Sequence, residues 1–107
     1  AFAPICNPTK SDWGRKQFAA YLGGDAANWA AHDAVELIKA RGLTLPLLVD
    51  QGGADKFLDL LQPQALEAAL AGTTGQLRWQ AGYDHSYFFV ASFMEDHIAF
   101  HASALFA

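Results

Sequence analysis

The segment LPLLVDQGG at residues 45–53 constrains the fold more than any other part of the chain. It opens with a run of apolar residues that lacks the alternation expected of a strand with one wet face. Continuous runs of this kind are typical of strands that are covered on both faces, as in parallel sheets. The sequence therefore predicts an α/β fold in which Asp50 stands at the carboxyl end of a buried parallel strand.

The flanking segments extend this prediction to an alternating series of strands and helices. Two further strands are predicted, in FAPI at 2–5 and QLRWQAG at 76–82. Helices are predicted over 15–22, 25–42, 63–72 and 86–106. Pro63 and Ser86 are suited to open the last two helices. About three parallel strands alternating with helices would then form one unit over residues 1–107, with right-handed crossovers.

Composition and charge narrow the classes of partner. The chain has 107 residues, with 7 basic and 11 acidic side chains, and its net charge is −4. Because it has no basic cluster, neither nucleic acid nor an anionic membrane is an expected partner. No apolar run is long enough to span a bilayer. Cys6 is the single cysteine, which excludes an internal disulfide and fits a reducing, cytoplasmic setting. A small parallel sheet leaves an unpaired edge, which favours a homo-oligomer.

The candidate site lies in the two loops that follow the second and third predicted strands. DQGGADKF offers Asp50 and Asp55, and AGYDHSYF offers His85 beside Asp84. Sites of open α/β sheets form at the carboxyl ends of the strands. An acid on one such loop and a histidine on the next resemble two members of a nucleophile–histidine–acid triad, in the chain order found in α/β hydrolases. A lone histidine before a helix is also a common structural residue, and both interpretations of His85 remain open at this point.

The nucleophile of such a triad has no candidate in the sequence. A strained G-x-S-x-G turn would be expected to carry it. Cys6 lacks the flanking glycines, and so does each of the four serines, Ser11, Ser86, Ser92 and Ser103. The sequence therefore predicts that these residues alone lack the attacking group.

Four motifs resemble the S-formylglutathione hydrolase family, and they run in order from residue 1 to about residue 105. These are FAPICNP, WGRKQFAAYLG, LLVDQGGADKFL and GYDHSYFFVASFMEDHIAFHA. The resemblance implies an α/β-hydrolase fold, of which residues 1–107 would be the C-terminal part of a single domain. It also implies hydrolysis of the thioester S-formylglutathione to glutathione and formate, cleavage of simple esters, and no metal or organic cofactor.

The resemblance also implies roles for particular residues. The aspartate of DKFL is Asp55 and the histidine of YDHSY is His85, so these two would be the catalytic acid and base. Asp50 would instead orient the loop backbone, although the reverse assignment of the two aspartates stays open. The family's serine lies upstream of the matched region. Trp13, in a loop that borders the acyl pocket of such enzymes, would bind substrate and restrict the acyl group to a small one, or would simply anchor its loop.

Other patterns and one rival function complete the expectations. His97 and His101 have a spacing that can bind zinc, but a solvated helix face is the preferred interpretation. Cys6 is expected to be a buried, inert thiol. The rival to a small-molecule thioesterase or esterase is a catalytically inactive fragment or decayed paralogue that only self-associates through its open sheet edge.

Overall fold

A computed structural model describes residues 1–107 and has two parallel strands at its centre. Strand β1 (Leu48–Gly52) pairs with β2 (Gln76–Gln80), with Leu48 opposite Gln76 and Gly52 opposite Gln80. All of β1 is buried. The predicted α/β class and the predicted doubly covered strand are therefore both confirmed.

The first predicted strand is present only as a single bridge between Phe2 and Asp50. The Ala3 N–H donates to the Asp50 carbonyl at 2.9 Å, and the Asp50 N–H donates to the Ala1 carbonyl at 3.0 Å. Ala3 then takes a left-handed backbone conformation with φ 43°, and Pro4 has no N–H to donate. The pairing stops there for these two reasons, so the first of the three expected strands is shorter than expected.

Five helices and three short 3₁₀ turns surround the sheet. The helices are α1 (Asp12–Leu22), α2 (Ala34–Arg41), α3 (Leu58–Leu61), α4 (Pro63–Leu70) and α5 (Tyr87–Leu105), and the turns cover Pro8–Lys10, Ala26–Asn28 and Ala30–His32. Pro63 begins α4 as predicted. The Ser86 hydroxyl caps α5 by accepting from the Phe89 N–H. None of these helices has the length and apolar character needed to cross a membrane.

The predicted helix over 25–42 is wrong in its first half. Only Ala34–Arg41 forms an α-helix, because Asp33 has an extended backbone and caps that helix through the Glu36 N–H. The Oδ2 atom of Asp33 also accepts from the Asn7 side chain at 2.8 Å and from the Thr9 hydroxyl at 2.7 Å. These bonds tie Asp33 to the first loop of the chain, so a helix cannot run through this position.

The core is divided between the two faces of β1. On one face, α2 and α4 enclose the apolar cluster of Cys6, Val35, Val49, Leu66 and Leu70. Helix α5 covers the other face and buries Phe89 and His97. Because β1 and β2 are parallel and end opposite each other, the loops after them meet at one edge of the sheet.

Candidate active site

The loops after β1 and β2 bring Asp55 and His85 into contact. The Nδ1 atom of His85 lies 2.8 Å from Oδ2 of Asp55. The Asp55 side chain is fully buried, whereas the His85 side chain is 40% exposed. Two backbone bonds join these loops, from the Gly53 N–H to the Gln80 carbonyl and from the Ala54 N–H to the Tyr83 carbonyl, both at 2.9 Å. The pair is therefore fixed by the main chain as well as by its own hydrogen bond.

Three donors keep the Asp55 carboxyl group ionised. Burial by itself would raise its pKa, but hydrogen bonds from the Phe57 N–H, His85 and Gln51 outweigh burial and hold the pKa below its ordinary value. The Phe57 N–H reaches Oδ1 at 2.8 Å, and Gln51 Nε2 reaches Oδ2 at 3.0 Å. An ionised carboxylate at this place can accept the Nδ1 proton of the imidazole, which leaves Nε2 as the basic atom.

One aromatic ring packs against His85, and a second ring packs against the first. The Phe57 ring meets the imidazole edge-on, with 5.3 Å between centroids, and the Trp13 ring lies 4.9 Å from Phe57. Trp13 itself is 37% exposed. His85 also lines a cleft of about 350 Å³, whose lining is mainly apolar and includes Phe2 and Phe89. Trp13 is not in the lining of this cleft and stands one ring away from the imidazole.

None of the four serines is hydrogen-bonded to His85, and three of them have hydrogen-bond partners elsewhere. Ser11 donates to the Leu60 carbonyl at 2.6 Å, and Ser92 donates to the Phe88 carbonyl at 2.7 Å. Ser86 caps α5. Ser103 is exposed near the C-terminal end of α5. No serine of the chain is hydrogen-bonded to His85.

Cys6 is buried, as expected of an inert thiol. Its Sγ lies 3.3 Å from the Pro4 carbonyl. Burial raises the pKa of the thiol to about 12, and the negative charge of Asp33 adds to this effect. The sulfur is therefore a protonated thiol at neutral pH and a poor nucleophile.

Asp50 does not orient the loop backbone, which corrects the sequence-based expectation. Its buried carboxylate accepts two hydrogen bonds from Arg78, at 2.8 and 2.7 Å, and one from Gln80 at 2.9 Å. Its Oδ2 also lies 2.6 Å from Nε2 of His97. Asp50 makes no hydrogen bond with His85, so the structure pairs the candidate base with Asp55.

The prediction of a solvated face at His97 and His101 is wrong for His97. His97 is only 4% exposed, and its ring lies against Phe2 at a tilt of 31°, with 4.0 Å between centroids. His101 is exposed as predicted. The sequence held one signal for this arrangement, since an acid inside a buried strand needs a charged or hydrogen-bonding partner. No group of three or more His, Cys, Asp or Glu side chains lies together in a way that could hold a metal ion.

Comparisons with known proteins agree with the motif resemblance. The Esterase family model matches residues 1–100. The chain is 58% identical over 107 residues to S-formylglutathione hydrolase of Paracoccus denitrificans, and 47% identical over 110 residues to that of Mus musculus. Each alignment covers 98% of this chain but only 38% and 39% of the relative. A solved structure of an S-formylglutathione hydrolase from Agrobacterium tumefaciens matches with a TM-score of 0.87 at 42% identity. The match covers 96% of this chain and 38% of the solved chain. The resemblance predicted from the motifs is thereby confirmed.

Proposed function

Since the chain belongs to the esterase family, we propose that it forms the C-terminal part of a single α/β-hydrolase domain and supplies the acid and the base of a serine hydrolase. The proposed substrate of the whole protein is S-formylglutathione, which is named in its relatives, together with small carboxylic esters. The chain spans about two fifths of those relatives, 38% of the first, so the serine is proposed to come from outside these residues. The absence of a G-x-S-x-G turn around any of its four serines supports this division.

The observation that carries the proposal is the 2.8 Å contact between a buried, ionised Asp55 and a partly exposed His85. In the proposed reaction, His85 Nε2 takes the serine proton while the serine oxygen attacks the thioester carbonyl. The imidazolium then gives that proton to the departing glutathione sulfur, and a formyl ester remains on the serine. Water, deprotonated by the same imidazole, releases formate and restores the serine. Asp55 stabilises the imidazolium in both halves.

Trp13 is proposed to limit the size of the acyl group. This role is supported by the row of rings that runs from Trp13 through Phe57 to His85. A large acyl group beside His85 would have to displace the rings of Phe57 and Trp13. A partly exposed indole that packs on Phe57 also fits the alternative role of a loop anchor. The two roles would be separated by measuring the activity of a Trp13→Ala protein on formyl esters and on longer acyl esters.

The remaining features of the proposal come from the sequence and from its resemblance to the family. The reaction requires neither a metal nor an organic cofactor, and its partner is a small thioester or ester rather than nucleic acid or a membrane. Cytoplasmic location and a homo-oligomer stay predictions, whereas self-association through the open sheet edge belongs to the inactive-fragment alternative. No observation favours the inactive fragment over the hydrolase.

The test is the variant His85→Ala in the protein isolated from its own source. We expect kcat/KM for S-formylglutathione to fall by at least about a thousandfold, because the general base is lost. His101→Ala is the matched control, since this histidine is exposed on α5 and makes no hydrogen bond. Near-normal turnover by a folded His85→Ala protein would contradict the proposal. An intact mass equal to the 11.6 kDa of this chain, without labelling by a serine-directed phosphonate, would favour the inactive fragment instead.

A further inference from the structure

Gln51 contacts the proposed catalytic acid from the interior of the sheet. It lies within β1 and is completely buried. Its Nε2 lies 3.0 Å from Oδ2 of Asp55, the same oxygen that His85 approaches, and 3.2 Å from the Gly52 carbonyl. The amide therefore meets the acid at the atom that pairs with the imidazole.

The orientation of this amide is fixed by the charge of Asp55. With Nε2 on the carboxylate, Oε1 of Gln51 is buried without any hydrogen-bond partner. The reversed amide would place its oxygen against a carboxylate oxygen, and two acceptors repel each other. Buried acceptors are nearly always paired, and the exceptions are concentrated at functional sites. In Gln51, Oε1 stays unpaired and Nε2 donates to Asp55.

We propose that Gln51 is a positioning residue, which acts through Asp55 to hold the carboxylate in the plane that His85 requires. The Phe57 N–H fixes Oδ1 and Gln51 fixes Oδ2, so rotation of the carboxylate is blocked at both ends. The imidazole is 40% exposed and depends on Asp55 for its only hydrogen bond. If the Asp55 carboxylate could rotate, the imidazole of His85 could rotate as well, because this hydrogen bond is its only one. This inference rests on the proposed function.

The test uses Gln51→Met in the whole protein, because methionine keeps the length of the side chain but donates no hydrogen bond. We expect kcat to fall between about 10-fold and 100-fold, the range for a lost hydrogen bond to a charged group, while KM changes by less than about twofold. Rates are expressed per site labelled to completion by a serine-directed phosphonate, so that protein without a reactive serine is not counted. Gln76→Met is the matched control, since Gln76 is exposed on β2 with no side-chain hydrogen bond, and its kinetics should match the wild type.

A second variant keeps the inference testable if the methionine protein does not fold. Gln51→Asn retains the amide but withdraws it by one methylene, so the same loss of kcat at constant KM is expected. A kcat within about twofold of wild type for a folded variant overturns the role of Gln51, and so does an equal loss in the Gln76→Met control. If the Gln51 variants keep a kcat within about twofold of wild type while His85→Ala is inactive, only the Gln51 inference fails. If His85→Ala is active, the proposed function fails.

Discussion

Replacing Arg78 with methionine is expected to lower the free energy of unfolding by about 3 kcal/mol at neutral pH. The change removes two of the four hydrogen bonds to the Asp50 carboxylate and its only permanently positive partner. Asp50 is fully buried, so water cannot replace the lost guanidinium. Methionine keeps the apolar stem of Arg78 and so isolates the charged group.

The magnitude follows from the exposure of the two partners. Removing one member of a buried ion pair costs about 3–5 kcal/mol, because an uncompensated charge stays behind. We expect the lower end of this range, since Arg78 is 33% exposed and Gln80 and His97 still bind the carboxylate. The outer contact of Arg78 with Asp96 is much weaker, because Asp96 is 55% exposed and exposed pairs contribute less than about 1 kcal/mol.

Urea titration of the whole protein at several pH values measures this cost. Burial by itself would raise the pKa of Asp50, but the bonds from Arg78, Gln80 and His97 hold it below the ordinary 3.8. A depressed pKa stabilises the folded state above that ordinary value, and the contribution disappears as pH falls through the lower folded value. The deficit of Arg78→Met should therefore be full at pH 7 and shrink below pH 3.8, once Asp50 is neutral in the variant. Asp96→Asn is the control, and a deficit no larger than that of Asp96→Asn would refute the reasoning.

Two further predictions concern the close contact at the end of β1 and the buried thiol. Gly52→Ala should destabilise the protein by about 1–3 kcal/mol and also lower turnover. The reason is that the added Cβ would clash with the Tyr83 carbonyl and displace the loop that carries His85. An unchanged urea midpoint and an unchanged kcat would contradict this prediction. Cys6 should react with iodoacetamide at neutral pH only after unfolding in urea, because burial and a pKa of about 12 keep the native thiol protonated. Equal labelling rates of native and unfolded protein would show that the thiol is accessible.

The elements predicted correctly are those whose signals are local. Strand β1 followed from a continuous apolar run, and the starts of α4 and α5 followed from Pro63 and Ser86. The helix expected over 25–42 failed because Asp33 is bonded to the first loop of the chain, which is distant from it in sequence. Asn7 and Thr9 are separated from it by 26 and 24 positions, and no local pattern reveals such contacts.

The site shows the same division between local and distant information. Spacing and strand order predicted an acid and a histidine on neighbouring loops, but they did not distinguish Asp50 from Asp55. The motif resemblance favoured Asp55, and the structure places its carboxylate against His85. Gln51 was missed because a polar residue inside a buried strand gives no indication of which face it occupies or what it contacts.

Two histidine–aspartate pairs in one small unit show that contact distance alone does not indicate a catalytic base. His97 lies 2.6 Å from Asp50, which is closer than the 2.8 Å between His85 and Asp55. However, His97 is only 4% exposed, its ring lies against Phe2 and its Nε2 is used for the aspartate. His85 uses Nδ1 and lines a cleft, which leaves Nε2 available. Accessibility and the choice of nitrogen, rather than bond length, therefore assign the structural role to one pair and the proposed chemical role to the other.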